Sequence, residues 1–147
     1  MTPTRLPTTS TEFSAGGVVV REGRCVVIVP TRLAANGSKV LALPKGHPEA
    51  DESPSDAALR EVREEAGVVA RLVEPLGDVR YWYTRDGRRI AKVVSFFLLA
   101  YVSGEVEDHD FEVEQACWMA LEDAARELSY PGEREMAARA LSRTRSA

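Results

Sequence analysis

Cysteine, histidine and long apolar runs are scarce in this sequence. The two cysteines, Cys25 and Cys117, lie in separate apolar stretches and form no close pair. Buried thiols in a reducing cytoplasm are therefore expected rather than a disulfide. The two histidines, His47 and His109, stand alone. No apolar run reaches the roughly 18 residues that a membrane-spanning helix needs. Excess charge is also missing: the net charge is −4, whereas a general nucleic-acid binder is usually basic. The stretch Met1 to Thr11, rich in Thr and Pro, has no apolar centre, so it reads as a loose tail and not as a secretory signal. What is present is ordinary for a globular chain. With 147 residues and 44% hydrophobic residues, one domain over 12–147 with one core is expected.

Hydrophobic patterning predicts strands at Phe13–Val20, Cys25–Val29, Lys39–Leu43, within Val68–Tyr83 (with a bulge at Gly77), at Ile90–Val102 and at Ala116–Met119. Turns are expected at Arg21–Arg24 and at Asp86-Gly87. Gly104–Asp110 reads as an acidic loop, and Leu121–Leu128 and Glu133–Leu141 as helices. The best-marked helix runs from Ser53 to Ala66. Ser53 is a favourable N-cap, Pro54 suits the first helical position, and Gly67 suits the left-handed stop. Leu59, Val62 and Ala66 form its apolar stripe.

Glu61, Glu64 and Glu65 follow one another at i, i+3 and i+4 on that helix. At about 100° per residue they share an arc of roughly 100°. Their like charges repel, which makes sense if a hard cation such as magnesium or manganese sits among them. Arg60 is placed to pair with Glu64. Ala57 and Ala58 are small enough to leave room beside the acids for a bound group. The bland reading of the same pattern is a solvated, salt-bridged helix face.

The residues in front of the helix decide between the two. Gly46 to Val68 reads G-x5-E-x7-R-E-V-x-E-E-x-G-V. This resembles the Nudix box at every fixed position: Gly46, Glu52, Arg60, Glu61, Glu64, Glu65 and Gly67. The Ala15-Gly-Gly-Val-Val opening and Lys92-Val-Val-Ser-Phe-Phe-Leu98 look like further family elements.

The resemblance implies an α/β/α sandwich with a mixed β-sheet and hydrolysis of a phosphoanhydride bond in a nucleoside polyphosphate. It implies Mg2+, or Mn2+, held by Glu61, Glu64 and Glu65, with the Lys45 carbonyl as a further ligand. Gly46, Glu52 and Gly67 would be structural, Glu52 bracing the loop, and Arg60 would orient the glutamates. In some relatives a general base lies six residues before a Trp that opens the last strand. Trp118 would make it Glu112, with Glu64 or Glu114 as alternatives, or Glu112 is one more acid of a solvated loop. Substrate contacts are expected from Lys45, Gly46, His47, Arg80, Tyr83 and Lys92. Lys92 in its apolar strand faces either a phosphate or solvent. Arg80, Arg85, Arg88 and Arg89 flank Tyr81, Trp82 and Tyr83, and either grip phosphates and a base or cover a strand edge. Tyr130, before Pro131-Gly132, either stacks an adenine or packs between helices, the second being the better expectation.

Leu43-Pro-Lys-Gly-His-Pro-Glu49 and the Lys92–Leu98 stretch look most like diadenosine polyphosphate hydrolases and their diphosphoinositol polyphosphate relatives. The Pro48, Ala50-Asp51 loop departs from that group. Hydrolysis of oxidised nucleoside triphosphates is the alternative, and a non-catalytic nucleotide sensor is the alternative of another class. Sensors usually lack the box glutamates, which this chain keeps. The expected partners are a small nucleoside polyphosphate and, as an open option, a second copy in a homodimer. Neither nucleic acid nor membrane is expected, and the expected location is cytoplasmic.

Overall fold

A computed structural model describes residues 9–145. Strands β1 (Thr9–Arg21) and β2 (Arg24–Pro30) form a hairpin, followed by a two-residue strand β3 (Lys45–Gly46) and helix α1 (Pro54–Ala66). A second long hairpin, β4 (Val68–Arg85) and β5 (Arg88–Gly104), leads to β6 (Val113–Ala120), α2 (Leu121–Glu127) and α3 (Pro131–Arg145). The sheet order is β4-β5-β1-β2-β6, with β3 pairing β1. Among the described residues only β1 and β5 run parallel, so the sheet is mixed.

Successive strand residues point to opposite faces, and this builds two cores. Val18, Val27 and Phe96 join Leu121 of α2, Leu128 that caps it, and Met136 and Ala140 of α3. Val19, Val26 and Leu99 join Val62 and Ala66 of α1. The result is the expected α/β/α sandwich. Ala57 and Ala58 are fully buried with Ala15 in a third small cluster, against which Phe97 packs. Their small size lets the helix approach the sheet, and they do not leave space for a ligand as expected.

The α1 boundaries follow the sequence signals. Ser53 Oγ accepts from Asp56 N at 3.1 Å. Gly67 closes the helix with φ 75°, its N–H donating to Arg63 O at 2.9 Å. A β-carbon there would stand 2.4 Å from Glu105 O. Gly77 sits at a register irregularity of β4, as anticipated.

Three expectations need correction. The loose tail expected over 1–11 lies mostly in residues 1–8, outside the described residues, but Thr9–Thr11 belong to β1 and pair with Arg89–Ala91 of β5. Lys39–Leu43 is no strand. Its side chains alternate between the two cores, Val40 and Ala42 on one side and Leu41 and Leu43 on the other. Only Ala42 bridges Ile28, because the Leu41 and Leu43 N–H groups donate to Ser129 Oγ and Glu133 Oε1. The acidic loop contains a 3₁₀ turn at Val106–Asp108, and Asp110 N donates to Glu64 O at 3.0 Å. The loop is therefore tied to the end of α1.

Both cysteines are free. Burial first, and Cys117 second, push the Cys25 thiol up to about 12. Among the described residues no helix is long and apolar enough to cross a membrane.

Replacing the cap, Ser53→Ala, should lower stability by ~1 kcal/mol, read from the urea midpoint at constant m-value. An unchanged midpoint would show that α1 is held by its packing alone.

Candidate active site

Arg60 organises the acidic face of α1. Its Nε and Nη2 donate to Glu52 at 2.8 and 2.9 Å. Nη1 donates to Glu61 Oε1 at 2.8 Å and Glu64 Oε2 at 3.1 Å. Nη2 also reaches His47 O at 2.9 Å. One guanidinium thus ties three carboxylates and a loop carbonyl, which suits its planar fork of donors. The Arg60 bonds, and then the Glu49 backbone N–H, hold the Glu52 carboxyl down to about 2. Glu52 also accepts from Glu49 N at 2.9 Å, within the loop before α1.

Glu61 and Glu65 lie deeper. Burial raises Glu61, while Arg60 opposes the rise. A β-carbon on Gly46 would stand 1.6 Å from Glu61 Oε2, so the glycine is what admits this carboxylate against β3. Glu65 Oε1 accepts from Lys45 N at 2.9 Å. Burial pushes Glu65 up to about 8, Lys45 N–H pulls it down, and the charges of Glu61 and Asp110 add to the rise. Glu64 is more open, with its side chain 44% exposed.

These residues fit a hard divalent cation. Three carboxylates on one helix face supply oxygen donors, and two of them carry a desolvation and like-charge cost that a cation between them would relieve. Among the described residues no three His, Cys, Asp or Glu side chains already form a cage. Arg60 Nη1 bonds to both Glu61 and Glu64, whereas Glu65 is bonded to the Lys45 N–H of β3.

A cavity of about 970 Å³ opens on the α3 side of the sheet. It is lined by Tyr81, Tyr83, Tyr130, Lys45, Lys92 and Arg85 among others, His47 and Arg80 included. The α1 glutamates do not line it. They meet it across β3, whose Lys45 faces the cavity with its ammonium and Glu65 with its N–H.

Strand alternation sorts the aromatic hairpin. Tyr81, Tyr83 and Arg85 share one face of β4 and line the cavity; Arg80, of the opposite face, lines it as well, whereas Trp82, Arg88 and Arg89 do not, the Arg89 guanidinium lying 4.3 Å from the Trp82 ring centre. Lys92 is buried and lines the cavity, 3.9 Å from Glu12 Oε1, so it does not face bulk solvent. Burial lowers its pKa. Tyr83 OH and Arg85 both donate to Glu12. The exposed His47 places Nδ1 3.1 Å from Phe13 O. Tyr130 lies at the cavity wall with its ring centre 5.4 Å from Lys45 Nζ, not between helices.

Glu112 is exposed in the loop before β6, its N–H bound to Asp110 Oδ1 at 3.0 Å. Trp118 does not open the last strand: β6 begins at Val113, and Trp118 packs edge-on against Tyr101 within it. Glu114 is drawn off by Lys39. Asp110, Glu12 and Glu133 were missed from sequence. Asp110 looked like one acid of a run, and Glu133 like a first-turn helix acid. For Glu12 the available signal was alternation along β1, which places it on the face of Ser14.

A sandwich of this topology, with a carboxylate-bearing helix packed on one face of the sheet and its preceding loop paired to the central strand β1, defines the class. The chain belongs to the NUDIX domain family, whose model matches residues 11–140. It is 35% identical over 132 residues to a putative mutator protein MutT4 of Mycobacterium tuberculosis, covering 86% of this chain and 53% of that protein. It is 31% identical over 102 residues to an 8-oxo-(d)GTP phosphatase of Mycolicibacterium smegmatis, covering 69% of this chain and 30% of that protein. The chain thus spans about half or less of the length of these curated relatives. In fold it resembles a NUDIX hydrolase from Nitrosomonas europaea, with TM-score 0.72 and 20% identity over 87% of this chain and 86% of that one. It also resembles a C. elegans Ap4A hydrolase, with TM-score 0.68 and 19% identity over 92% and 99% of the two chains. The family expectation holds. The diadenosine polyphosphate subgroup is not singled out, because the likeness to the Ap4A hydrolase is one of fold.

Gly46→Ala should leave the fold intact but push the Glu61 carboxylate off β3. We expect Mn2+ affinity to fall at least about tenfold, read by calorimetry; unaltered affinity would show that Glu61 has other room. A second test uses pH. A carboxylate held below its ordinary value, here 4.5, stabilises the fold above that value and stops doing so as pH falls towards about 2. The stability gap between wild type and Glu52→Gln should therefore close between those pH values. A gap that persists at the acid end would mean that Glu52 acts by shape alone.

Proposed function

We propose that this domain is a divalent-metal-dependent pyrophosphohydrolase of nucleoside polyphosphates. One observation carries the reading: two desolvated glutamates, Glu61 and Glu65, press against β3, and the other side of β3 opens into a cavity of tyrosines and cations. Glu61, Glu64 and Glu65 would hold Mg2+ or Mn2+, with the Lys45–Gly46 peptide beside them. The cation supplies charge neutralisation on the phosphates and a more acidic water. The protein does the rest. Arg60 fixes two of the carboxylates and the His47 carbonyl, so the acid cluster is set before substrate arrives. Glu64, the most open of the three, takes the proton of the attacking water; Glu112 is the second candidate for that role. Lys45, Lys92 and Arg85 contact phosphate oxygens. Tyr81, Tyr83 and Tyr130 supply ring faces for the nucleoside.

For the substrate we favour an oxidised purine nucleoside triphosphate, since the two mycobacterial relatives are named a mutator protein and an 8-oxo-(d)GTP phosphatase. A second reading, a diadenosine polyphosphate, is favoured by the size of the cavity and by its several tyrosines.

The test is a screen of both substrate types with product identification in water labelled with heavy oxygen. We expect magnesium-dependent release of phosphate or pyrophosphate from a nucleoside triphosphate, or of two mononucleotides from a dinucleoside polyphosphate, with kcat falling about 10²-fold or more in Glu64→Gln and Glu65→Gln. Binding without turnover of any candidate would mark the domain as a nucleotide sensor instead.

A further inference from the structure

Lys45 is held at two points by acids from opposite layers. Its N–H donates to Glu65 of α1 at 2.9 Å, and its ammonium donates to Glu133 Oε2 of α3 at 2.8 Å. The two ends of this ion pair differ in freedom. The Glu133 side chain is only 4% exposed, and its other oxygen accepts from Leu43 N at 2.8 Å, so it is fixed. The Lys45 side chain is 24% exposed and opens into the cavity beside the Tyr130 ring. An anion arriving there meets the ammonium with a fixed negative charge behind it.

We propose that Glu133 is a positioning residue that works through Lys45. It aims the ammonium at the cavity and, as a permanent counter-ion, subtracts from the pull of Lys45 on a phosphate. The cavity then binds polyphosphate without trapping it. This rests on the reading of the cavity as a nucleoside polyphosphate site. Glu133→Gln separates the two effects: it preserves an acceptor for Leu43 N–H and removes the charge. A unit charge a few ångströms from a bound anion outweighs the order lost in one lysine side chain, so anion binding should tighten. If Glu133 were only structural, binding would weaken or stay unchanged.

The experiment is calorimetric titration of inorganic tripolyphosphate into the protein in EDTA at low salt, where no turnover is needed. We expect Glu133→Gln to bind about tenfold more tightly, the change that ~1.4 kcal/mol produces, and the gain to vanish in the Lys45→Met/Glu133→Gln double variant. If Lys45→Met weakens binding but Glu133→Gln does not tighten it, the proposal is overturned while the assignment of the cavity stands. If Lys45→Met leaves binding unchanged, the phosphate contact at Lys45 fails, and this proposal with it. Should Glu133→Gln not fold, isotope-edited NMR of wild type gives the answer. The Lys45 Nζ signal should shift with tripolyphosphate while its contact with Glu133 persists; loss of that contact on binding overturns the counter-ion role.

Discussion

The site depends on one buried-edge cation, Arg60, placed among acids that would otherwise repel one another. Glu52, Glu61 and Glu64 all bond to its guanidinium, and the loop before the helix bonds to it through the His47 carbonyl. Without that charge, an acidic helix face would lie against an acidic loop in a partly dehydrated corner, where like charges are costly. With it, the loop from Gly46 to Ser53 has a fixed path and the acids have fixed directions. Glu65 is the exception. It is tied not to Arg60 but to the Lys45 N–H, and burial keeps it well above the usual carboxylate range. The residue least stabilised as an anion by the protein is thus the one with most to gain from a bound cation.

Strand β3 is only two residues long, yet it joins the layers. Its pairing with Ala15 and Gly16 of β1 fixes its height on the sheet. Close packing makes the glycines necessary here. A β-carbon on Gly16 would stand 2.5 Å from Pro44 O, and one on Gly46 would fall on the Glu61 carboxylate. On the α3 side, Glu133 fastens Leu43 and Lys45. Acid chemistry on one face of the sheet and a cation-lined cavity on the other therefore meet at a single peptide segment.

Local signals explain what could be read without coordinates. The cap at Ser53, the left-handed stop at Gly67, the turn at Asp86-Gly87 and the alternating strands are all set by neighbours in sequence, and the structure shows them where expected. Arg60 and its glutamates were legible for the same reason, being one to four residues apart on a helix. Expectations failed where a distant partner intervened. Lys39–Leu43 alternates like a strand, but Ser129 and Glu133 take the N–H groups a ladder would use. Tyr130 looked like a residue between helices, and the chain path before α3 turned it to the cavity instead.

The sequence by itself determined the family, the helix that carries the acids and the spacing that puts Glu61, Glu64 and Glu65 on one face, because helical geometry is a local property. Only the tertiary structure decided which side of each strand became the cavity wall. It also decided that Lys92 is enclosed, that Asp110 closes on α1, and that Glu133 stands behind Lys45. Those outcomes follow from burial and from pairings 46 to 88 residues apart. No periodicity in the chain encodes which distant charge will be left beside which.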